Sequence, residues 1–291
     1  MRSALFAPGD SEKKLARALD CGADAVIVDL EDSVAPAAKA DARAIAAGFV
    51  AAARAKNPRP LLFVRVNALD DPAIDADLEA VMGAAPDAIV LPKSLGGASI
   101  QHLGVKLALL EARHNAAEGA TRIIAIATES ARALFGMDSY IGCSGRLEGL
   151  AWGGEDLSAD LGAETNRLPG GAYGGPYALA RSLTLIAARA ARVTPIDAAY
   201  PDFRDSDGLR DEAMAGARDG FGAKLAIHPA QIAIIHAAFA PSAAALDAAR
   251  SVIAAFEASP GAGVVALGGA MLDRPHYVRA MRVLARAGAQ P

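Results

Sequence analysis

Short apolar runs alternate with segments of helical periodicity along most of this chain. Eight apolar runs are too short for core helices and are rich in Val, Ile, Leu and Ala, which predicts buried parallel strands. These runs are 4–7, 25–30, 61–66, 88–91, 123–127, 150–152, 194–198 and 223–227. Segments with an apolar residue every three or four positions lie between them, at 11–19, 39–55, 75–82, 103–117, 178–192 and 209–220.

A strand followed by a helix, repeated about eight times, is typical of a closed parallel barrel or a doubly wound sheet. The count of eight and the length of 291 residues favour an α/β fold of the (β/α)₈ TIM-barrel type over residues 1–230. Residues 231–291 are predicted as a C-terminal helical extension, with helices at 243–258 and 275–287. Because this extension is too small to fold alone, we expect it to dock on the barrel or on a neighbouring subunit and to contribute to a neighbouring active site.

Three of the apolar runs are followed closely by a residue that handles charge. They lead into Arg65, Glu129 and Asp156. The C-terminal ends of all the strands of a (β/α)₈ barrel open onto one face, so these three side chains should converge from distant positions in the chain. One cation and two carboxylates predict a site for a hard metal ion beside an electrophilic partner. Such a site is typical of an enzyme that stabilises an enolate.

Composition and charge limit the class of protein. Apolar residues make up 53 % of the chain and the formal net charge is −4, which suits a globular protein with a large core and gives no support to nucleic-acid binding. The two cysteines, Cys21 and Cys143, are far apart and have no metal-binding spacing. The N-terminus resembles a strand and not an export signal, and no apolar run is as long as a membrane helix, so we expect a cytoplasmic protein with no membrane partner.

The sequence motifs of this chain resemble those of a known protein family. The chain is similar to the HpcH/HpaI aldolase–citrate lyase superfamily, and within it to the branch of citrate lyase β-subunit-like proteins and malyl- or citramalyl-CoA lyases. The matching pieces are the segments 2–10, 22–32 and 220–224 and the motifs Val64-Arg65-Val66-Asn67, Leu91-Pro92-Lys93, Thr128-Glu129, Gly154-Glu155-Asp156-Leu157, Ile227-His228-Pro229 and Met271-Leu272-Asp273-Arg274-Pro275-His276. They occur in order over essentially the whole chain.

The resemblance implies a TIM barrel, a divalent metal ion that is usually Mg²⁺, an acyl-CoA substrate and reversible cleavage of a 3-hydroxyacyl-CoA. Mapped by motif, Glu129 and Asp156 are the expected metal ligands and Arg65 is the electrophilic cation. These residue types suit the chemistry, because Mg²⁺ prefers oxygen ligands and a guanidinium offers a fixed fork of donors to an oxyanion. Arg65 could instead form a structural ion pair with Asp29 or Glu31.

Further candidate site residues come from their position after a predicted strand or from the same family resemblance. Glu31 and Asp32 come after the second strand, where they could orient Arg65 or metal-bound water, or cap the following helix. The family places an Asp in the tail motif as the residue that exchanges a proton with the thioester α-carbon, often across a subunit interface, and Asp273 occupies that position. Asp273 could equally be the N-cap of the helix that begins near Pro275.

Three residues are candidates for binding coenzyme A. Lys13 and Lys14 lie on the first predicted helix, where cations could pair with the negative charges of a CoA tail, although a solvated helix face would have the same composition. His228 ends the last predicted strand, and its motif implies a contact with the pantetheine arm or with a loop over the site. The alternative is that His228 only shapes the turn at Pro229.

We therefore expect a Mg²⁺-dependent carbon–carbon lyase that cleaves citramalyl-CoA, malyl-CoA or a close relative into acetyl-CoA and a 2-oxo acid through an enolate. A second hypothesis is the β subunit of a citrate lyase complex, which acts on a citryl thioester of an acyl carrier protein. A third is a barrel that binds acyl-CoA without turning it over. Family analogy also predicts a homo-oligomer, most simply a trimer.

Overall fold

Eight parallel strands form a closed barrel in the computed structural model, which describes residues 1–287. Each strand pairs with the next along the chain, and β1 closes the barrel on β8. The predicted TIM-barrel fold is confirmed. The strands are β1 (Ser3–Pro8), β2 (Ala25–Asp29), β3 (Leu61–Arg65), β4 (Ala88–Leu91), β5 (Arg122–Ile126), β6 (Leu147–Ala151), β7 (Thr194–Asp197) and β8 (Ala223–Ala226).

Helices follow each of the barrel strands along the chain. They are α1 (Glu12–Leu19), α2 (Lys39–Arg54), α3 (Ile74–Val81), α4 (Gly97–Arg113), α5 (Ala131–Leu134), α6 (Glu155–Asp160), α7 (Gly175–Ala190), α8 (Ser206–Asp219) and α9 (Gln231–Phe239). Short 3₁₀ turns occur at Pro36–Ala38, Met82–Ala84 and Met137–Tyr140.

The largest error in the predicted boundaries concerns α4, which begins at Gly97 and not near residue 103. Gly97 packs so closely on the 3₁₀ turn Met137–Tyr140 that a Cβ there would lie 2.2 Å from the carbonyl oxygen of Ser139. A glycine at a helix start is indistinguishable from a loop glycine in the sequence. The predicted strands also extended too far at several C-terminal ends, because apolar residues such as Leu30 and Val66 belong to the turns that follow.

Small and β-branched side chains fill the barrel interior. Alternate residues of each strand point inward, and each strand contributes one or two buried side chains to this cluster. The buried members are Ala4, Ala25, Ile27, Phe63, Ala88, Val90, Ile124, Ile126, Ala151, Ile196, Ala223 and Leu225. Phe6 packs against the cluster at the C-terminal ends of the strands, where the candidate site lies.

The chain divides into two compact units, Met1–Ile235 and His236–Pro291. In the second unit, α10 (Ala243–Glu257) and α11 (Arg274–Arg286) pack through a small apolar cluster that includes Ile253 and Leu284. The antiparallel strands β9 (Val264–Leu267) and β10 (Ala270–Asp273) form a hairpin. Gly268 and Gly269, with φ of 58° and 81°, form its two-residue turn, which requires left-handed backbone at both positions.

One segment within the described residues, Gln231–Glu257, is long and apolar enough to be considered as a membrane span. It is not a single helix, because α9 ends at Phe239 and α10 begins at Ala243 after Pro241. Length and composition alone are weak evidence for a membrane span, and the helices of a soluble protein pass the same test.

Candidate active site

Arg65 is held in a fixed orientation at the C-terminal end of the barrel. Asp29 and Arg65 are register partners on β2 and β3, which places the carboxylate beside the guanidinium. Nε and Nη2 of Arg65 donate to Oδ1 and Oδ2 of Asp29, each at 2.7 Å, and Nη1 lies 2.9 Å from Oε2 of Glu31. The guanidinium also lies over the Phe6 ring, 4.8 Å from its centroid. A bidentate contact of this kind fixes the plane of the guanidinium as well as its position.

The surroundings of Arg65 keep both partners charged. Burial alone would raise the pKa of Asp29, but the hydrogen bonds and the charge of Arg65 hold that pKa below its ordinary value. Burial alone would lower the pKa of Arg65, but Asp29 and Glu31 raise it. The ion pair with Asp29 and Glu31, expected as the structural alternative, is therefore present. It also presents a permanent, oriented cation to the cavity that Arg65 lines.

Lys93 is a site residue to which the sequence assigned no role. It follows β4 in the motif Leu91-Pro92-Lys93 and has a left-handed backbone, with φ of 51°. Its Nζ donates to Oε1 of Glu31 and lies 3.6 Å from Oδ1 of Asp32 and 4.0 Å from Oδ1 of Asp156. Its main-chain N–H donates to Oε2 of Glu129. The position of Lys93, soon after a strand, was the one sign in the sequence that it lies near the candidate site. Its hydrogen bond to Glu129 is made by the main chain, so the identity of the side chain could not predict it.

Glu129 and Asp156 line the same cavity as Arg65, a space of about 170 Å³. Glu129 is buried and follows β5, whereas Asp156 is 37 % exposed and lies in the first turn of α6. Burial raises the pKa of Glu129 to about 8; the hydrogen bond from Lys93 opposes this shift, and the charges of Asp156 and Glu31 add to it. Two carboxylates that share a poorly solvated cavity favour a bound cation.

The carboxylates fit Mg²⁺ as a partial ligand set. Within residues 1–287, no group of three or more His, Cys, Asp or Glu side chains is arranged to hold a metal ion. Mg²⁺ is commonly bound through one or two carboxylates and completes its coordination with water and substrate oxygens. The Glu129 and Asp156 pair supplies that number of carboxylates.

Glycines and a buried tryptophan set the path of the loop that carries Asp156. A Cβ on Gly153 would lie 3.0 Å from Cγ of Glu129, so the loop passes Glu129 closely only because residue 153 is glycine. Trp152 is buried, and its Nε1 donates to Oδ1 of Asp197 at 2.7 Å. Its ring meets Tyr173 edge-on, with centroids 4.7 Å apart. These contacts fix the start of the loop that leads to Asp156.

The remaining predicted residues of the first unit differ in their placement. Asp32 is exposed and lies 3.8 Å from Nη1 of Arg65, so Glu31 and Asp32 both approach the guanidinium. Lys13 and Lys14 lie on the exposed face of α1. His228 is half-buried after β8 and stacks on Phe203, with centroids 4.8 Å apart. Of the side chains that line the cavity among residues 1–287, none is Lys13, Lys14 or His228.

Asp273 belongs to the second unit, where it ends β10 and is the N-cap of α11. It forms a capping box with His276, so the structural role expected as an alternative is present. Its side chain is 54 % exposed, and Nδ1 of His276 lies 2.5 Å from its Oδ1. No functional role for His276 was predicted from the sequence.

Comparison with known proteins identifies the family. Residues 2–229 match the model of the HpcH/HpaI aldolase/citrate lyase family, and residues 185–290 match that of a C–C bond lyase of the TIM-barrel fold. The chain therefore belongs to the HpcH/HpaI aldolase/citrate lyase family, and the predicted resemblance is confirmed.

Two curated relatives span nearly the whole chain. A (3S)-malyl-CoA thioesterase of Cereibacter sphaeroides strain KD131 is 36 % identical over 296 residues, covering 99 % of this chain and 95 % of the relative. The citrate lyase subunit beta of Leuconostoc mesenteroides subsp. cremoris is 33 % identical over 290 residues, covering 99 % and 93 %. At the coarse level, the family is that of the citrate lyase β type, although some relatives are named thioesterases.

A solved structure has the same fold over its whole length. Protein CitE from Mycobacterium tuberculosis, in complex with magnesium, acetoacetate and coenzyme A, matches with a TM-score of 0.80 and 33 % sequence identity. The match covers 99 % of this chain and 98 % of the other.

Proposed function

We propose that this protein is a Mg²⁺-dependent carbon–carbon lyase that cleaves a 3-hydroxyacyl-CoA, such as citramalyl-CoA or malyl-CoA, into acetyl-CoA and a 2-oxo acid. The observation that carries the proposal is the placement of Arg65, Glu129 and Asp156 around one cavity. Magnesium and coenzyme A in the CitE structure support the same chemistry. Cytoplasmic location and a homotrimer remain part of the proposal.

Glu129 and Asp156 would hold the metal ion, and Lys93 would orient Glu129 through its main chain. When bound, Mg²⁺ supplies Lewis-acid chemistry that makes the substrate hydroxyl more acidic. In cleavage, the substrate hydroxyl would lose its proton to solvent water and become the carbonyl of the 2-oxo acid as the C–C bond breaks. The electron pair of that bond would move into the thioester to form an enolate. The oriented guanidinium of Arg65 stabilises the oxyanion charge that develops, because its donors are fixed before the reaction begins.

The enolate must then gain a proton on its α-carbon. We assign this step to Asp273, whose carboxylic acid gives up its O–H proton as the new C–H bond forms. Asp273 would be delivered to the active site of a neighbouring subunit. Glu31 and Asp32 would position Arg65 and Lys93, while Lys13, Lys14 and His228 would bind the coenzyme A part of the substrate.

Two other activities compete with this proposal. The relative named a (3S)-malyl-CoA thioesterase, at 36 % identity, favours hydrolysis of the thioester. The relative named citrate lyase subunit beta, at 33 % identity, favours a citryl thioester carried by a protein. The products separate the three reactions, since only the thioesterase releases free coenzyme A with an intact hydroxy acid.

The test is a product assay with a panel of hydroxyacyl-CoA thioesters and citryl-acyl carrier protein, with Mg²⁺ and with a chelator. We expect acetyl-CoA and a 2-oxo acid in equal amounts from at least one CoA thioester, and loss of this activity with the chelator. Free hydroxy acid and coenzyme A as primary products would replace the lyase with a thioesterase. Turnover of the carrier-bound thioester alone would replace it with a citrate lyase β subunit, and binding without any turnover would contradict all three.

A further inference from the structure

Asp273 and His276 form a close pair at the start of α11. Nδ1 of His276 lies 2.5 Å from Oδ1 of Asp273 and 3.2 Å from the main-chain nitrogen of Asp273. Two atoms that both present lone pairs cannot approach to 2.5 Å without a hydrogen between them. A hydrogen bond between Nδ1 and Oδ1 therefore needs one proton, carried by either atom.

This proton has two possible positions. If it is on Nδ1, an imidazolium donates to a carboxylate in a charge-assisted hydrogen bond. If it is on Oδ1, a neutral carboxylic acid donates to Nδ1, with the imidazole proton on Nε2. The main-chain N–H of Asp273 points at the same Nδ1 and adds a donor when Nδ1 has a free lone pair. This N–H can bond to Nδ1 only in the second state, in which it shares the single Nδ1 lone pair with the carboxylic acid. The two states differ by the transfer of one proton.

Arg274, the cation next to Asp273 on this helix, packs on an aromatic ring. Cζ of Arg274 lies 4.9 Å from the centroid of the Tyr277 ring, and that ring also meets Phe256 edge-on. Within residues 1–287, the ion pair of Asp273 is with His276. Both side chains are partly exposed, at 54 % and 40 %, so protons from solvent can reach the imidazole.

We propose that Asp273 and His276 share one proton, and that His276 returns to Asp273 the proton that Asp273 delivers during catalysis. This inference rests on the acid–base role proposed above for Asp273. His276 is a positioning and relay residue in it and does not touch the substrate.

As Asp273 delivers its proton, its O–H bond breaks and the α-carbon of the enolate gains a C–H bond. Nδ1 of His276 then holds no proton, so it takes one from solvent, equal to the one released from the substrate hydroxyl. The new Nδ1–H bond breaks as the O–H bond of Asp273 reforms. In the direction of condensation, each transfer runs in reverse.

The test measures proton exchange apart from C–C cleavage. Acetyl-CoA is incubated in deuterium oxide with the full-length enzyme and Mg²⁺, without a 2-oxo acid, and deuterium in the acetyl group is followed by NMR. His276→Gln keeps an acceptor for the Asp273 N–H, since Gln is a normal capping-box partner, but cannot relay a proton. We expect exchange and cleavage to slow by roughly 10- to 100-fold with an unchanged thermal midpoint.

Two further variants exclude a purely structural role. Added imidazole should restore part of the exchange in His276→Ala, because it replaces the missing base without rebuilding the cap. Arg279→Gln, which removes an exposed cation from the same helix, should behave as wild type. Wild-type exchange in His276→Gln, or losses that follow thermal stability and are not rescued by imidazole, would overturn the proposal.

Asp273→Asn separates failure of this inference from failure of the proposed function. If Asp273→Asn is inactive and His276→Gln is not, the relay is wrong while the acid–base role of Asp273 stands. If Asp273→Asn retains full lyase activity, the assigned role of Asp273 is wrong, and the relay fails with it.

Discussion

Lys93 orients Glu129 through its main chain, since the Lys93 N–H donates to Oε2 of Glu129 from a left-handed backbone with φ of 51°. The same residue places its ammonium near Glu31, Asp32 and Asp156. Lys93 therefore connects the carboxylates around Arg65 with the two proposed metal ligands. A substitution of the Lys93 side chain removes the ammonium charge but keeps the main-chain hydrogen bond to Glu129, so the two effects can be measured separately.

Lys93→Met removes the ammonium and leaves the main-chain hydrogen bond to Glu129. Because a cation 4.0 Å from Asp156 opposes the binding of a second cation, we expect Mg²⁺ to bind roughly fivefold more tightly, or by about 1 kcal/mol. Isothermal titration with Mg²⁺ measures this change. Lys106→Met, which breaks an exposed pair with Asp75, is the matched control. Weaker Mg²⁺ binding in Lys93→Met would contradict the expectation.

Mg²⁺ binding should depend on pH through Glu129. Its pKa in the folded protein is about 8, above the ordinary value of 4.5, so the neutral form is favoured. The stability that this neutral form contributes is fully present below about pH 4.5 and is lost as the pH rises through 8. Because Mg²⁺ binds the ionised form, its affinity should rise about tenfold per pH unit below this pKa and level off above it.

Thermal unfolding with and without Mg²⁺, between about pH 6 and pH 9, measures this linkage. The increase in the thermal midpoint caused by Mg²⁺ should grow with pH. In Glu129→Gln, the increase should be small at every pH, since the ionised ligand is absent. A wild-type increase that is independent of pH in this range would show that Glu129 is not the linked group.

Arg65→Lys keeps a positive charge but cannot reproduce the bidentate contact with Asp29. We expect turnover to fall by roughly 10²-fold while the fold survives, because the oriented donors for the oxyanion are lost. Steady-state kinetics and circular dichroism measure the two effects. Arg59→Lys is the control, since Arg59 makes a similar two-point contact with Asp87, at 2.6 and 3.0 Å, outside the cavity lining. A near wild-type kcat in Arg65→Lys would rule out the electrophilic role.

Gly153→Ala tests the close passage of the Asp156 loop beside Glu129. The new Cβ would lie 3.0 Å from Cγ of Glu129 and 3.4 Å from Cγ2 of Ile126, so the Glu129 side chain must move. We expect Mg²⁺ affinity to fall by roughly tenfold or more, with a loss of stability of about 1–3 kcal/mol. Gly175→Ala, where no atom lies within 4 Å of the new Cβ, should change neither quantity. Unchanged Mg²⁺ affinity in Gly153→Ala would show that the position of Glu129 does not limit binding.

Mixing of two inactive variants tests delivery of Asp273 between subunits. Arg65→Ala and Asp273→Asn should each be inactive. If each site combines Arg65 of one subunit with Asp273 of the next, about one quarter of the sites in a random equal mixture are intact. Activity should therefore return after subunit exchange, which mass spectrometry of differently labelled subunits verifies. No recovery despite verified exchange, or a fully active monomer, would contradict a shared site.

The barrel, and the end of the barrel where the candidate site lies, follow from the sequence alone. A strand buried on both faces must be apolar throughout, so the alternation of apolar runs with helical segments predicted the strands with small errors at their ends. Because parallel strands in a barrel end on one face, charged residues at or soon after the ends of three strands predicted that Arg65, Glu129 and Asp156 would lie close together. Both inferences need only the local pattern of apolar residues and the parallel arrangement of the barrel strands.

The pairing of the charged side chains, by contrast, depends on the tertiary fold. The bidentate contact between Asp29 and Arg65 depends on the register of β2 and β3, which no local pattern specifies. The contact of Lys93 with Glu129 depends on a left-handed main chain, a conformation that the identity of a lysine does not predict. Asp273 and His276 were visible in one motif, but their close contact follows from the backbone at the start of α11. Periodicity determines which face of an element is buried, whereas side-chain pairing depends on register, loop path and backbone conformation.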